Sequence, residues 1–293
     1  MTAAKKFEIT DITHPDAPRL RRIRALRDIP TAGVKAGDLG GWIEKESNLD
    51  QYDTAWVSGD AWVYGNAEVY GNARVFGNAR VYVDAEVFGN ARVFGNALVR
   101  GSAEAFGNAR VYGNAEAFGN ARVYGNARVS DTAEVFGNAL VSDSAVVSGD
   151  AWVYGNAQVF GNARVYVDAE VFGNARVYGN AVMSDSAKAS GDARVSDNAV
   201  IYGNAVVSDS AEVLYATVIG SSRFHATLHR TTEGHALHVG CWSGTVPEFR
   251  TMIESDHWVD ATPEQIELRR PEMLAFAAMC EARIATWDTR GRP

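Results

Sequence analysis

The chain has 293 residues, 22% of them charged, and its 28 Lys+Arg against 36 Asp+Glu give a net charge of −8 at pH 7. That length holds a long repeat domain with small flanks, and the acidic balance argues against general binding to nucleic acid or an anionic membrane. The only two cysteines, Cys241 and Cys280, lie far apart and make no disulfide framework, which fits a reducing cytosol, and no stretch is apolar enough for a signal core or a membrane span.

Residues 1–48 read as a β cap. Phe7-Glu8-Ile9 and the run from Leu20 to Leu26 alternate like strands across a Pro-containing turn. Gly40-Gly41 before Trp42 suggests a tight backbone passage into the first coil of the repeat. Ile43 and Leu49 fall in the Ala phase of that downstream repeat, and Trp56 and Trp62 are expected to pack beneath the cap. The basic run Arg19, Arg21, Arg22 and Arg24 could hold a phosphate, but a strand edge protected by charge is the simpler reading.

Residues 49–220 repeat one six-residue phrase, Ala-x-Val-x-Gly-Asn. Ala or its stand-in recurs from Ala55 to Ala211 without a slip, so (211 − 55)/6 + 1 = 27 consecutive positions. A helix would need apolar residues three and four apart, whereas Ala and Val two apart share one side of a strand. Gly-Asn supplies a corner. A six-residue period of this kind predicts a parallel β-helix. This stretch carries 11 Lys+Arg and 19 Asp+Glu, so 11 − 19 = −8 accounts for the whole net charge.

Residues 221–293 form the second flank. Two alternating stretches between 223 and 241 surround Thr231-Thr232-Glu233-Gly234, a hairpin signal. Thr245-Val246-Pro247-Glu248 is a capping box opening a helix to about Glu254, and Thr262-Pro263-Glu264-Gln265 opens another. Pro271 is expected to interrupt that helix before a last one runs to about Trp287. Met273, Ala277, Cys280, Ile284 and Trp287 make one apolar seam along it.

Val63-Tyr64-Gly65-Asn66-Ala67, an aliphatic residue with a small one four places on, resembles the left-handed hexapeptide-repeat β-helix family. The resemblance implies three repeats per triangular coil, hence nine coils and a prism of about 40 Å at strand spacing. The fold class expected is thus an all-β left-handed parallel β-helix with an N-terminal β cap and a C-terminal hairpin plus short helices. A second resemblance rests on Leu26-Arg27-Asp28, the run from Ala36 to Glu44, Asn48-Leu49, the repeats, Val239 to Thr245, and Glu248-Phe249. These are similar to phage and prophage hexapeptide proteins, often labelled polymer-forming or acyltransferase, and imply a phage-associated cytoplasmic protein.

The fold carries many functions, so function must come from sites. Acyltransferases of this fold family use a histidine between coils and a loop thrown out of one, and its carbonic anhydrases hold zinc with three histidines. Here His14, His225, His229, His235, His238 and His257 all lie outside the repeat, and no insertion breaks it. This leans against an enzyme and leaves no catalytic residue, cofactor or metal assigned. His225, His229, His235, His238 and Cys241 include ligand types, but their spacing is looser than a metal finger. A His-rich hairpin is the simpler reading.

With three repeats per coil, residues eighteen apart stack. One column reads Trp56, Arg74, Arg92, Arg110, Arg128, Val146, Arg164, flanked by Phe76, Phe94, Tyr112 and Ser130; a neighbouring face carries Glu68, Glu86 and Glu104. Arg74, Arg92, Arg110 and Arg128 with Phe76 and Phe94 are the candidate anion or partner site. The competing expectation is that adjacent rings and carboxylates neutralise the guanidiniums. Phe118, Phe136, Trp152, Tyr154 and Phe172 form an aromatic patch expected to drive self-association into a dimer or trimer. An ice-binding face is excluded by the charged and aromatic outward positions. Phe76–Val93 recurs letter for letter at Phe160–Val177, an offset of 84 residues or fourteen repeats, which is not a whole number of coils. Such duplication preserves length and not facing. The sequence therefore points to a non-catalytic rigid scaffold or binding protein that meets a host or phage protein through its outer faces or C-terminal flank. The alternative is an acyltransferase-like enzyme whose site forms between subunits.

Overall fold

The computed structural model describes residues 5–203, 205–208, 214–219, 224–231, 234–240, 242–256, 258 and 261–289. The repeat winds into a parallel β-solenoid of about nine turns with three flat faces. Each phrase gives one short strand, an outward residue followed by an inward Val, as in Arg92–Val93. Face I runs from Trp56–Val57 to Val200–Ile201, face II from Trp62–Val63 to Val206–Val207, and face III from Glu68–Val69 to Arg194–Val195. Neighbours on a face are eighteen residues apart, so Arg74, Arg92, Arg110 and Arg128 pair in succession.

The interior is a stack of Ala and Val with no measurable exposure, among them Ala109, Val111, Ala127 and Val129, all at 0%. Side chains this small let three faces close on one another, and burial of each rung depends on the rungs above and below. The corners follow from steric exclusion. Gly113 has φ 72°, and a Cβ there would come within 2.9 Å of the Asp131 backbone nitrogen. Asparagines at the corners hydrogen-bond along the axis: Asn72 Nδ2 donates to Asn90 at 3.0 Å, Asn90 to Asn108 at 3.2 Å, and Asn108 to Asn126 at 3.0 Å.

The first flank continues face II. Strands Phe7–His14, Ala17–Ala25 and Leu39–Ile43 pair antiparallel in sequence order, and the last lies parallel to Trp62–Val63. The tight passage is present: a Cβ on Gly41 would lie 2.6 Å from Val57 Cγ1. Trp56 is buried, and the Trp62 ring is covered by Arg80 at 4.3 Å and by the edge of His14 at 4.6 Å. The phase expected for Ile43 and Leu49 is corrected. They stack on Val63 and Val69, twenty residues on, and so occupy Val positions. Two extra residues are absorbed in the irregular corner after Leu49, where the Asp50 carboxylate accepts from the backbone N–H of Tyr52 at 2.6 Å and Asp53 at 3.1 Å.

The second flank holds a four-stranded antiparallel sheet, Leu214–Ile219, Phe224–Thr231, Gly234–Val239 and Trp242–Gly244. Helix α1 (Val246–Glu254) starts at the expected capping box. Helix α2 (Pro263–Thr289) is continuous through Pro271, against expectation. Proline removes one backbone donor and bends a helix but need not end it when the remaining turns are packed. Here Pro271 faces solvent, while Met273, Phe276, Ala277 and Cys280 are buried against Phe249 and Ile253 of α1. That seam matches the sequence reading; the side chain of Trp287 lies outside the described residues.

Candidate interaction face

Face I places the predicted arginines in one straight column, because identical register repeats at every turn. Arg92, Arg110 and Arg128 are exposed and Arg74 is half-buried. Beside them Phe76, Phe94 and Tyr112 stack with centroids 4.8 and 4.9 Å apart and planes within 3° of parallel. The spacing of those rings is the spacing of the guanidinium anchors. The neutralisation expected from sequence does not occur. Among the described residues, ion pairs engage Arg22, Arg24, Arg100, Arg122, Arg250 and Arg270, and rings are covered by Arg19, Arg22, Arg80 and Arg100. None of these belongs to the face I column. The reason is geometric: the rings beside that column stack on one another, and the nearby corner carboxylate of Asp131 accepts from the Gly149 backbone N–H at 3.1 Å. Desolvation, and then the charge of Arg92, hold the Arg74 guanidinium below its ordinary pKa.

The column is interrupted at Val146, between Arg128 and Arg164. A shallow groove of about 550 Å³ opens there, lined by Arg128, Ser144, Val146, Arg164 and Val182 among others. It was legible in the sequence as a break in the arginine run, but its depth depends on the short side chains beside it.

Face II carries the predicted self-association residues. Phe118, Phe136, Tyr154 and Phe172 stack at 4.8, 4.9 and 5.1 Å. Arg100 caps that ladder, 4.1 Å above Phe118. In the column beside it Glu116, Glu134, Trp152 and Glu170 pair in succession. Trp152 is 44% exposed and stands beside the Phe136–Tyr154–Phe172 ladder, which makes one contiguous aromatic surface. Glu116 pairs with Arg100 at 3.1 Å and Glu170 with Lys188 at 2.8 Å. Glu134 forms no ion pair among the described residues; partial desolvation, and then the Glu116 charge, raise its carboxyl pKa.

The first-flank arginines are otherwise engaged. Arg22 reaches the Gly59 carbonyl at 2.6 Å and lies 4.3 Å over Trp42, and Arg19 lies over Tyr64. The strand that carries them lies between Phe7–His14 and Leu39–Ile43, so the charge-protected sheet edge expected from sequence is corrected: Arg19 and Arg22 brace the cap against the first turns. A residue that sequence reasoning missed is Lys6. It is fully buried, with Nζ donating to Asp53 Oδ1 at 2.7 Å and the Ala55 carbonyl at 2.8 Å. Desolvation lowers its pKa against the pull of Asp53. It clamps the first strand to the start of the solenoid. A lone lysine near the N-terminus gives no sequence signal of this.

His229 and His238 stack at 5.1 Å, and the Tyr202 ring lies 4.1 Å from His238. Both are buried, and none of their four ring nitrogens has a hydrogen-bond partner among the described residues. Desolvation, with the charges of His238 and His235, pushes His229 down to about 3. His235 Nε2 accepts from the Val246 backbone N–H at 3.1 Å. The side chain of His225, and Cys241 and His257, lie outside the described residues. No group of three or more His, Cys, Asp or Glu placed to hold a metal occurs among the described residues.

Fold and face together define a parallel β-solenoid whose distinguishing features lie on its outer faces. Residues 67–83, 121–133, 133–149 and 169–185 match the family model described as YdcK Beta solenoid repeat. All four stretches lie within the solenoid, so the chain is similar to that family in its repeat. No curated protein matches the chain. No helix among the described residues is long and apolar enough to cross a membrane.

Proposed function

We propose that this protein is a non-catalytic rigid scaffold, probed through its faces, whose partner contact is the arginine column of face I. The observation that carries this reading is the absence of any ion pair or covering ring for Arg74, Arg92, Arg110 and Arg128 among the described residues. Like charges at strand spacing repel one another, and an acidic partner relieves that repulsion. Nine turns of a solenoid with a dry Ala/Val interior hold those charges at fixed spacing, which minimises the ordering cost of binding. The duplicated block that extends length without keeping its facing supports a spacer role, and the proposal extends to a phage-associated, cytoplasmic setting. The acyltransferase-like alternative needs C-terminal histidines on a surface. It is disfavoured by the burial of His229 and His238 and by the backbone bond to His235.

The test is binding of fluorescent poly-glutamate, an extended acidic probe, to the wild type and to Arg92→Glu/Arg110→Glu. The reading expects salt-sensitive binding that falls at least about tenfold in the variant. Equal binding by both would remove face I as the contact.

A further inference from the structure

We infer that the acidic partner of face I is face II of a second copy of this chain, docked with the two prisms parallel and their turns level. The inference rests on the reading of face I as a partner surface and names the partner.

The two faces are complementary over four successive turns; on the two turns before them Arg92 stands level with Leu98 and Arg74 with Arg80, so the contact is confined to the later turns. Along four successive turns face I presents Arg110, Arg128, Val146 and Arg164. Along the same four turns face II presents Glu116, Glu134, Trp152 and Glu170, with Phe118, Phe136, Tyr154 and Phe172 in the column beside them. A charge on one face thus stands level with the opposite charge on the other, and the break in the arginine column stands level with the tryptophan.

Arg128 of one copy then reaches both a carboxylate and a ring of the next, Glu134 and Phe136. Among the described residues the chain itself contains that arrangement once: Arg100 lies 4.1 Å over Phe118 while donating to Glu116 at 3.1 Å. Arg110 and Arg164 add to pairs already made, Glu116 with Arg100 and Glu170 with Lys188. Trp152, the most exposed tryptophan described, enters the groove of about 550 Å³ lined by Ser144, Val146 and Val182 between Arg128 and Arg164. Trp152 is 44% exposed, so covering it removes roughly 100 Å² from water, a little under half of what a whole aromatic side chain buries. Glu134, which has no ion pair among the described residues, gains one from Arg128.

The order matters. Read in the opposite direction over the same four turns, Trp152 would stand against Arg128 and Glu134 against Val146; shifted so that Val146 meets Trp152 again, Arg110 would stand against Lys188, so the parallel docking alone matches all four turns. Parallel prisms are therefore specified. The contact is heterologous, face I to face II, and the two faces meet at one corner of the prism. Successive copies accordingly turn the same way about an axis parallel to the prism, so the assembly closes into a ring and does not spread as a sheet.

The experiment is a charge exchange read by sedimentation velocity on the full chain. Arg128→Glu/Arg164→Glu reverses face I, and Glu134→Arg/Glu170→Arg reverses face II; circular dichroism checks that both remain folded. The wild type is expected to be a salt-sensitive oligomer. Each variant alone is expected to associate at least about tenfold more weakly, and an equimolar mixture to reassemble, because a glutamate face I then meets an arginine face II. Trp152→Ala, which changes no charge, should weaken the wild-type assembly by a similar factor. A monomeric wild type, variants that assemble unaided, or a mixture that stays monomeric would each overturn the inference. Poly-glutamate separates the two readings: a monomer that binds it through face I keeps the partner reading and loses the second copy, and one that does not loses both.

Discussion

The buried histidine pair gives the most quantitative prediction. His229 has 0% exposure, its ring nitrogens have no partners, and its pKa is lowered to about 3 from 6.5, chiefly by burial. The unfolded segment therefore binds a proton that the folded one refuses. Stability is complete above about pH 6.5 and falls as pH drops toward 3. At pH 4.5 the gap is two pH units, worth about 3 kcal/mol at 1.36 kcal/mol per unit. His238, also lowered by burial, adds in the same direction. The perturbation is His229→Phe, which keeps the stacked ring and removes the titration. Native-state hydrogen exchange at Leu228 and Leu237, corrected for intrinsic rates, reads the opening free energy of this sheet at pH 7.5 and 4.5. The wild type should lose about 3 kcal/mol more than the variant over that interval. At pH 7.5 the variant should match or exceed the wild type, because two orphaned nitrogens are gone. Equal losses in both proteins would refute the argument from burial.

Three further substitutions test the scaffold itself. Asp53→Ala leaves the Lys6 ammonium buried without its carboxylate and should cost about 3–5 kcal/mol in urea unfolding, whereas Lys6→Met, which removes the charge with it, should cost clearly less. Val129→Ala deletes two methyl groups at a position with 0% exposure and should cost roughly 2–3 kcal/mol, with early opening of the adjacent turns measured by hydrogen exchange.

The solenoid was legible because its signal is repeated so often that one exception changes nothing. The six-residue period fixed which residues face inward, and with three repeats per turn it fixed every column, including the one from Arg74 to Arg128. What local pattern cannot carry is a change of length at a corner. Ile43 and Leu49 kept the phase by counting, but two residues inserted after Leu49 moved both to Val positions. The persistence of α2 through Pro271 likewise depends on packing against Phe249 and Ile253, which no local propensity encodes. For the candidate site the residues were readable and their electrostatic state was not. Whether Arg92 meets a ring or a carboxylate depends on side-chain reach across a corner. Phe94 stacks on Phe76 and Tyr112, and the arginine beside it remains without a counter-ion among the described residues.

The most direct measurement is arginine-selective chemical modification of the native wild-type protein, mapped by mass spectrometry before and after dilution into high salt. Arg176 and Arg194, exposed on face III, are internal controls. If face I is the contact surface, Arg110, Arg128 and Arg164 will react more slowly than the controls in the assembly and at the same rate after salt releases it. Equal reactivity of all five arginines under both conditions would contradict the account.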